Sequence, residues 1–450
     1  MSTTNLIVER VKLMFPALVD LRTLHLRNLS FEIDILYLST LVDINVINKY
    51  VSVPFNNSHA FDYFEAQLFS FGAEVVADTE DIRKRLLLGH TCIIYYDKIY
   101  SISAKRSLND QPGENKTENT ILGPSKSFSE DLHTNMGLIR SRYKRASLSS
   151  EALTVGHWSK TEIILMYDAT HTKPELLEQV RSKLLAIDVD LVQASGQLER
   201  LLNDTRFSLF PRMMITERPD RTVLNLAQGK IVILMEGTAY ALAVPCVFFD
   251  FMSAMDDLYQ SFWITKALVI LRYISLLITV TLPAFYVAIV SYNPEILRVQ
   301  LTLSIAGSRA AVPYPSYIEV FIMLFMIEAL IEASLRLPKY IGSTATTVGG
   351  LILGQAAQQA GLVSSIMIII TSAVAISNFV IPINAMSFAM RFVKFVLIVF
   401  AALFGVVGIV VGMFLLVNYL ASLRSFGEPY LKIYMREKKA SYSIKEGDPM

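Results

Sequence analysis

The chain is short of cysteine, histidine and net charge, and each shortage removes a class of function. Its 450 residues include two cysteines, Cys92 and Cys246, which cannot build a disulfide framework and have no histidine at a metal-ligand spacing. They read as small buried hydrophobes. The six histidines, at positions 25, 59, 90, 133, 157 and 171, are scattered through the first half with no H-x-x-x-H pair. Neither a helix-borne metal site nor a nucleophile–base pair is legible, so the chain is expected not to be an enzyme and to need no cofactor. Basic and acidic residues nearly cancel, 41 against 40, and no basic field argues for nucleic acid. No glycine loop joins a strand to a helix in the manner of a nucleotide site. No basic segment followed by an apolar run opens the chain, so no signal peptide is read. No run long enough to cross a bilayer occurs before residue 260, and that whole stretch is expected on the cytoplasmic side.

What the chain does have is apolar mass. Hydrophobic residues make up 53% of it and its mean hydropathy is +0.43, values that fit a membrane protein with a soluble portion. The expected fold is a soluble α/β region of two similar subdomains followed by an all-α polytopic membrane domain. The expected divisions are an N-terminal subdomain over 1–106, a connector over 107–128, and a second subdomain over 129–245. A helical membrane domain over 246–425 and a cytoplasmic tail over 426–450 complete the chain.

Residues 1–26 read as one amphipathic helix broken near Pro16. Phe31–Val42 reads as a buried strand, followed by helices over Asp43–Tyr50, Phe61–Phe71 and Asp81–Gly89 and a hairpin over 91–104 turning at Asp97-Lys98. The plan returns in the second half. Thr161–Tyr167 is a strand, Pro174 opens a helix, Ser195–Asn203 and Pro219–Gly229 are helices, and 230–245 is a hairpin turning at Glu236-Gly237. Duplication explains the match, and coincidence is the alternative. Between the halves, Ser127 and Glu130 are spaced as a capping box for a helix over Glu130–Lys144. That helix ends in a basic run, Arg140 to Arg145, suited to a solvated end or to anionic lipid headgroups.

In the apolar region, Lys266–Ser291, Ser316–Leu335, Leu362–Pro382 and Phe392–Leu420 read as four crossings, with Asn293–Arg309 as a re-entrant or lumenal piece. Both termini then lie inside, but Arg391 and Lys394 fall on the wrong side of the membrane for the positive-inside pattern. The helix over Ser316–Leu335 carries three carboxylates, Glu319, Glu328 and Glu332. Each acid costs roughly 2.5 to 3.5 kcal/mol in lipid, against about 0.3 to 0.6 gained per apolar residue, so this helix should not face lipid alone. At about 100° per residue, Glu328, Glu332 and Arg336 form one stripe and Glu319 lies on the opposite face. The helix is then read as breaking at Arg336-Leu337-Pro338 and continuing through a polar segment rich in glycine, threonine and glutamine. Such segments survive at membrane depth only inside a bundle or along a watery cavity. Glu328, Glu332, Glu319, Arg336 and Gln355 are therefore candidate ion-pathway residues. Pro313, Pro315, Pro338, Gly342, Gly349, Gly350 and Gly354 are the candidate hinge and broken-helix positions. A buried structural pair, Glu332 with Arg336, is the competing reading. At the level of function, a channel subunit competes with a secondary transporter and with a non-conducting scaffold.

Several stretches resemble the A subunits of GerA-type spore germination receptors. They are ALVILRYISLLITVTLPAFYVAIVSYNPEIL, LTLSIAGSRAAVPYPSYIEVFIM and LRLPKYIGSTATTVGGLILGQAAQQAGLVSSIMIIITSAVAISNFVIP, with LASLRSFGEPYL near the C-terminus. The soluble stretches 114–144 and 210–245 are similar to those the family has at the same places. Ala104-Lys105-Arg106 stands where the family usually has Gly-Trp-Pro, and Pro313-Tyr314-Pro315 where it has Pro-Phe-Pro. The resemblance implies a multi-pass protein of the bacterial spore inner membrane that works with a transporter-like B subunit and a lipoprotein C subunit. It also implies self-association, as a pentamer, into a ligand-gated ion channel in contact with membrane lipid.

Overall fold

The computed structural model describes residues 11, 18–76, 79–105, 115, 118, 122–203, 208–335, 337 and 339–432. Two five-stranded antiparallel sheets form the first half. One contains β1 (Leu21–Arg27), β2 (Glu32–Leu38), β3 (Glu74–Val75), β4 (His90–Tyr95) and β5 (Lys98–Ser103). The other contains β6 (Leu148–Val155), β7 (Thr161–Asp168), β8 (Met214–Thr216), β9 (Ile231–Met235) and β10 (Ala241–Val244). Their strand orders are β1-β2-β4-β5-β3 and β6-β7-β9-β10-β8. The second order is the first advanced by five strands, so the two subdomains share one topology and each hairpin belongs to its own sheet.

Helices cover the sheets. The first subdomain has α1 (Ile44–Ile47), α2 (Val53–Asn57), α3 (Phe61–Ser70) and α4 (Thr79–Leu87). The second has α5 (Leu132–Arg142), α6 (Pro174–Leu185), α7 (Ser195–Leu202) and α8 (Pro219–Ala227). The central strands are apolar on both faces because both faces are covered. Ile33 and Ile35 enter one core while Leu36 and Leu38 enter the other. In the second sheet Ile163 and Leu165 point one way, Ile164 and Met166 the other. A buried ion pair joins the halves: Arg140 on α5 grips Asp20, just before β1, at 2.6 Å, with both side chains 1% exposed.

Three local expectations need correction. Of the helix expected over 1–26, residues 1–10 and 12–17 lie outside the described residues, and Leu21–Arg27 is strand β1 instead, an edge strand whose half-exposed pattern mixes helical and strand spacings. Strand β6 is an edge strand too, and its Ser149, Ser150 and Glu151 hid it. The cap of α5 is Asp131, whose side chain accepts from Thr134 N at 2.7 Å, rather than Ser127.

A short helix α9 (Phe248–Phe251) leads into the helical half: α10 (Phe262–Ser291), α11 (Val299–Arg309), α12 (Ser316–Leu335), α13 (Lys339–Gln359), α14 (Ser365–Val380) and α15 (Asn384–Ser422). By length and composition, α10 and α15 could each cross a membrane. The span expected over 392–420 is not one straight helix, because Gly405 in α15 has φ 59° and ψ −140°. A Cβ at Gly412 would lie 2.5 Å from Leu397 Cδ1 and one at Gly408 2.1 Å from Phe400 O. Residues 397 and 412 would stand about 22 Å apart along a straight helix, so α15 folds back on itself at Gly405. Only glycine admits both the positive φ and the close approach of the arms, with Tyr292 packed on the turn. The returning arm leads to a two-residue ladder, β11 (Arg424–Ser425) with β12 (Glu428–Pro429), fastened to the second sheet's domain. Ser425 Oγ donates to Arg212 O at 2.7 Å, Tyr430 Oη to Pro211 O at 2.8 Å, and Lys173 pairs with Glu428 at 2.6 Å.

One soluble-side acid is tuned by its surroundings. Burial pushes the Glu199 carboxyl on α7 up to about 7. A folded-state value above the unfolded one favours the protonated form, so this contribution is full below about pH 4.5 and is lost as pH rises through 7. Glu199→Gln should raise the thermal midpoint at pH 8 by about 2 °C and leave it unchanged at pH 4. Paired melting curves at the two pH values measure this, and equal shifts at both would rule it out.

Candidate functional site

The helical half is assembled around charged groups. Helix α12 begins after Pro313 and Pro315, and Pro315 O accepts the first amides, from Ile318 and Glu319. Glu319 is fully buried. Its carboxylate accepts from Ser364 N at 2.7 Å and Ser364 Oγ at 2.6 Å, from Tyr286 Oη at 3.1 Å, and from Arg309 Nε at 3.2 Å. Ser364 is the N-cap of α14, so the carboxylate also lies at the positive end of that helix. Four helices, α10, α11, α12 and α14, are thus tied at one acid. Its place is the interior of this chain rather than a face left for a neighbouring subunit.

Glu328, about two and a half turns further on, accepts from Arg391 Nη1 at 2.7 Å and Lys394 Nζ at 2.6 Å. Lys394 is 1% exposed and Arg391 13%, against 22% for Glu328. The two cations that contradict a simple inside-positive pattern therefore share a half-buried partner, and the triad carries a net positive charge. Glu328 is not the freer acid of the stripe, as same-helix spacing suggests, because it is clamped from α15. Arg391 also lies over the Phe388 ring at 4.2 Å.

Glu332 is exposed and has an interaction of its own. Gln355 is exposed on α13. Arg336 and Pro338 lie outside the described residues. Gly342, Gly349, Gly350 and Gly354 all fall inside the continuous helix α13, so they are not breaks. Gly349 serves close packing, since a Cβ there would come within 3.1 Å of Leu330 Cδ1 on α12.

A further charged residue escaped sequence reasoning. Arg272, inside α10, is buried against Asp257 at 2.5 and 2.8 Å. The local signal was there, a lone arginine within an otherwise apolar run that follows the acidic Asp256-Asp257 segment. Among the described residues no group of three or more His, Cys, Asp or Glu is placed to hold a metal ion.

The chain is similar to several known proteins. Residues 9–445 match the family model described as Bacillus/Clostridium GerA spore germination protein. Spore germination protein KA of Bacillus subtilis (strain 168) is 34% identical over 406 residues, 88% of this chain and 75% of that protein. Spore germination protein B1 of the same organism is also 34% identical, over 88% of this chain and 84% of its own length. Spore germination protein GerLA of Bacillus cereus is 36% identical, covering 78% and 72%. Among solved structures, the N-terminal domain of the A subunit of the Bacillus megaterium spore germinant receptor GerK3 aligns with TM-score 0.41 and 24% identity, over 54% of this chain and 93% of that one. On the extent of the family match and the identity to these relatives, the chain belongs to the GerA spore germination protein family.

Proposed function

We propose that this chain is the A subunit of a nutrient-germinant receptor in the spore inner membrane, and that several copies assemble into a ligand-gated ion channel. A transporter-like B subunit and a lipoprotein C subunit complete the receptor in this reading. One observation supports the channel above all. The first half of α12 is packed into the bundle at Glu319, whereas along its second half one stripe, with Phe325 71% exposed and Glu332 exposed, is left uncovered by its own chain. A face that is both apolar and acidic suits neither bulk lipid nor water. Copies meeting along it would bury Phe325 and gather one Glu332 per subunit into a ring, a device that favours cations. Helix α13, lying on α12 with Gln355 exposed, would form part of the same surface. The helical segments α10, α12, α13, α14 and the two arms of α15 would be the six crossings.

Glu332→Gln should slow cation release from spores given germinant roughly threefold, at unchanged protein level. Ion-release kinetics normalised to the amount of this chain in the inner membrane test this. Normal release would take Glu332 out of the pathway. A chain that stays monomeric on cross-linking would remove the ring.

A further inference from the structure

A cavity of about 360 Å³ lies between the two sheet subdomains, and its charged lining is entirely cationic. Arg83 and Lys84 come from α4 in the first subdomain, and Lys144 and Arg145 from the segment joining α5 to β6 in the second; Leu87, Ala146 and Ser147 complete it. The volume falls in the range of about 300–1,000 Å³ usual for small-ligand sites. Nearby acids are already engaged. Asp81 pairs with Arg85 at 3.0 Å. Asp168, fully buried beneath the second segment, accepts from Tyr143 Oη at 2.5 Å and Thr170 Oγ1 at 2.6 Å, and is only 3.5 Å from Arg145 Nη1. Arg83 has an interaction of its own, whereas Lys84, Lys144 and Arg145 are exposed where a ligand would meet them.

Several like charges around one recess repel one another across the seam, and each weakens the closure of the two subdomains. A multiply charged anion reverses the sign of that effect, because ammonium and guanidinium donors from both sides can share its oxygens. We propose that this recess binds a phosphate-class anion carrying at least two negative charges, which bridges the subdomains. The phosphoryl group could be free in solution or belong to a lipid headgroup. Helix α5, which leads into the basic segment, packs on α8, and Asp220 of α8 accepts from Tyr259 Oη at 3.0 Å, shortly before the exposed Phe262 and Trp263 at the start of α10. The basic segment is therefore linked through α8 to the entry to the helical half.

The test uses the full chain in discs of neutral phosphatidylcholine, with inorganic pyrophosphate as probe and calorimetry as readout. Lys84→Gln with Lys144→Gln should weaken pyrophosphate binding at least about tenfold, the loss expected from two charge-assisted hydrogen bonds. Lys98→Gln, which removes an ammonium already paired with Glu65 at 3.1 Å, should bind as the unaltered chain does. Pyrophosphate should raise the melting temperature of the unaltered chain and of Lys98→Gln, but not of the double variant. Without anion, the double variant should melt no lower than the unaltered chain, since it loses only repulsion. Discs containing cardiolipin, whose headgroup carries two phosphate charges, separate the sources. Weaker apparent pyrophosphate binding there assigns the recess to a lipid headgroup, and unchanged binding assigns it to a soluble anion. Binding that survives the double substitution overturns the site. So does the absence of any pyrophosphate binding in neutral discs.

Discussion

Glu319→Ala should remove most of the folded chain from the membrane fraction. The expectation rests on what the substitution leaves behind. Arg309 loses a carboxylate at 3.2 Å, Tyr286 a hydrogen-bond acceptor, and Ser364 an acceptor for both its amide and its hydroxyl. Breaking a buried charged network on one side costs about 3–5 kcal/mol, much of it as desolvated groups left unpaired. That is a large share of the stability of any protein, and abundance in cells follows stability. At least a tenfold loss of the chain from membranes is expected, read by quantitative immunoblot. Glu319→Gln keeps the shape and one acceptor oxygen for Ser364, so it should fall between Ala and the unaltered chain. Arg309→Met removes only one of the four contacts and should be milder than Glu319→Ala. If Glu319→Ala accumulates normally, the network does not hold the bundle.

The contrast between Glu319 and Glu328 marks where sequence reasoning reaches and where it stops. That three acids in an apolar helix need protein around them follows from transfer energies alone, and both acids do sit among protein groups. Their partners were another matter. Periodicity reports neighbours at i+3 and i+4 on one helix, so it offered Arg336 to Glu332 and no partner to Glu328; the observed partners of Glu328 lie 63 and 66 residues further on. The reverse turn at Gly405 was hidden for a similar reason. The apolar run over Phe392–Leu420 reads as a single span, and nothing local distinguishes a glycine that packs from a glycine that turns. In the soluble half, strands buried on both faces and helices with glycine ends were legible because local pattern and tertiary role coincide. The edge strands β1 and β6 were not, because half-exposed strands lack a continuous apolar signal. The duplication was visible through its hairpins and helices, even though both edge strands of each sheet, β1 and β3 in one and β6 and β8 in the other, were missed.

Glu328→Gln should lower both the amount of chain and the cation release it supports, and a second substitution should separate the two. In the unaltered chain one carboxylate holds two cations, Arg391 at 2.7 Å and Lys394 at 2.6 Å, the latter 1% exposed. Removing the negative charge leaves two positive charges side by side in an apolar bundle, at a cost of about 3–5 kcal/mol. Abundance should therefore fall at least fivefold. Lys394→Gln in the same chain removes the more buried cation, leaving Arg391 facing two neutral amides and a partner ring on Phe388. The double variant should regain most of the lost abundance, because the excess positive charge returns to that of the unaltered triad: one cation in place of two cations and an anion. Ion release then carries the functional information. A double variant restored in amount but slow to release cations would place the triad in the conducting or gating path. One restored in both would make Glu328 a structural anchor and leave Glu332 as the acid that acts on ions. Failure of Lys394→Gln to restore abundance would show that the carboxylate is needed for something other than holding these two cations. The measurements are chain per spore in the inner membrane and cation efflux on germinant addition, made on the single and double variants together.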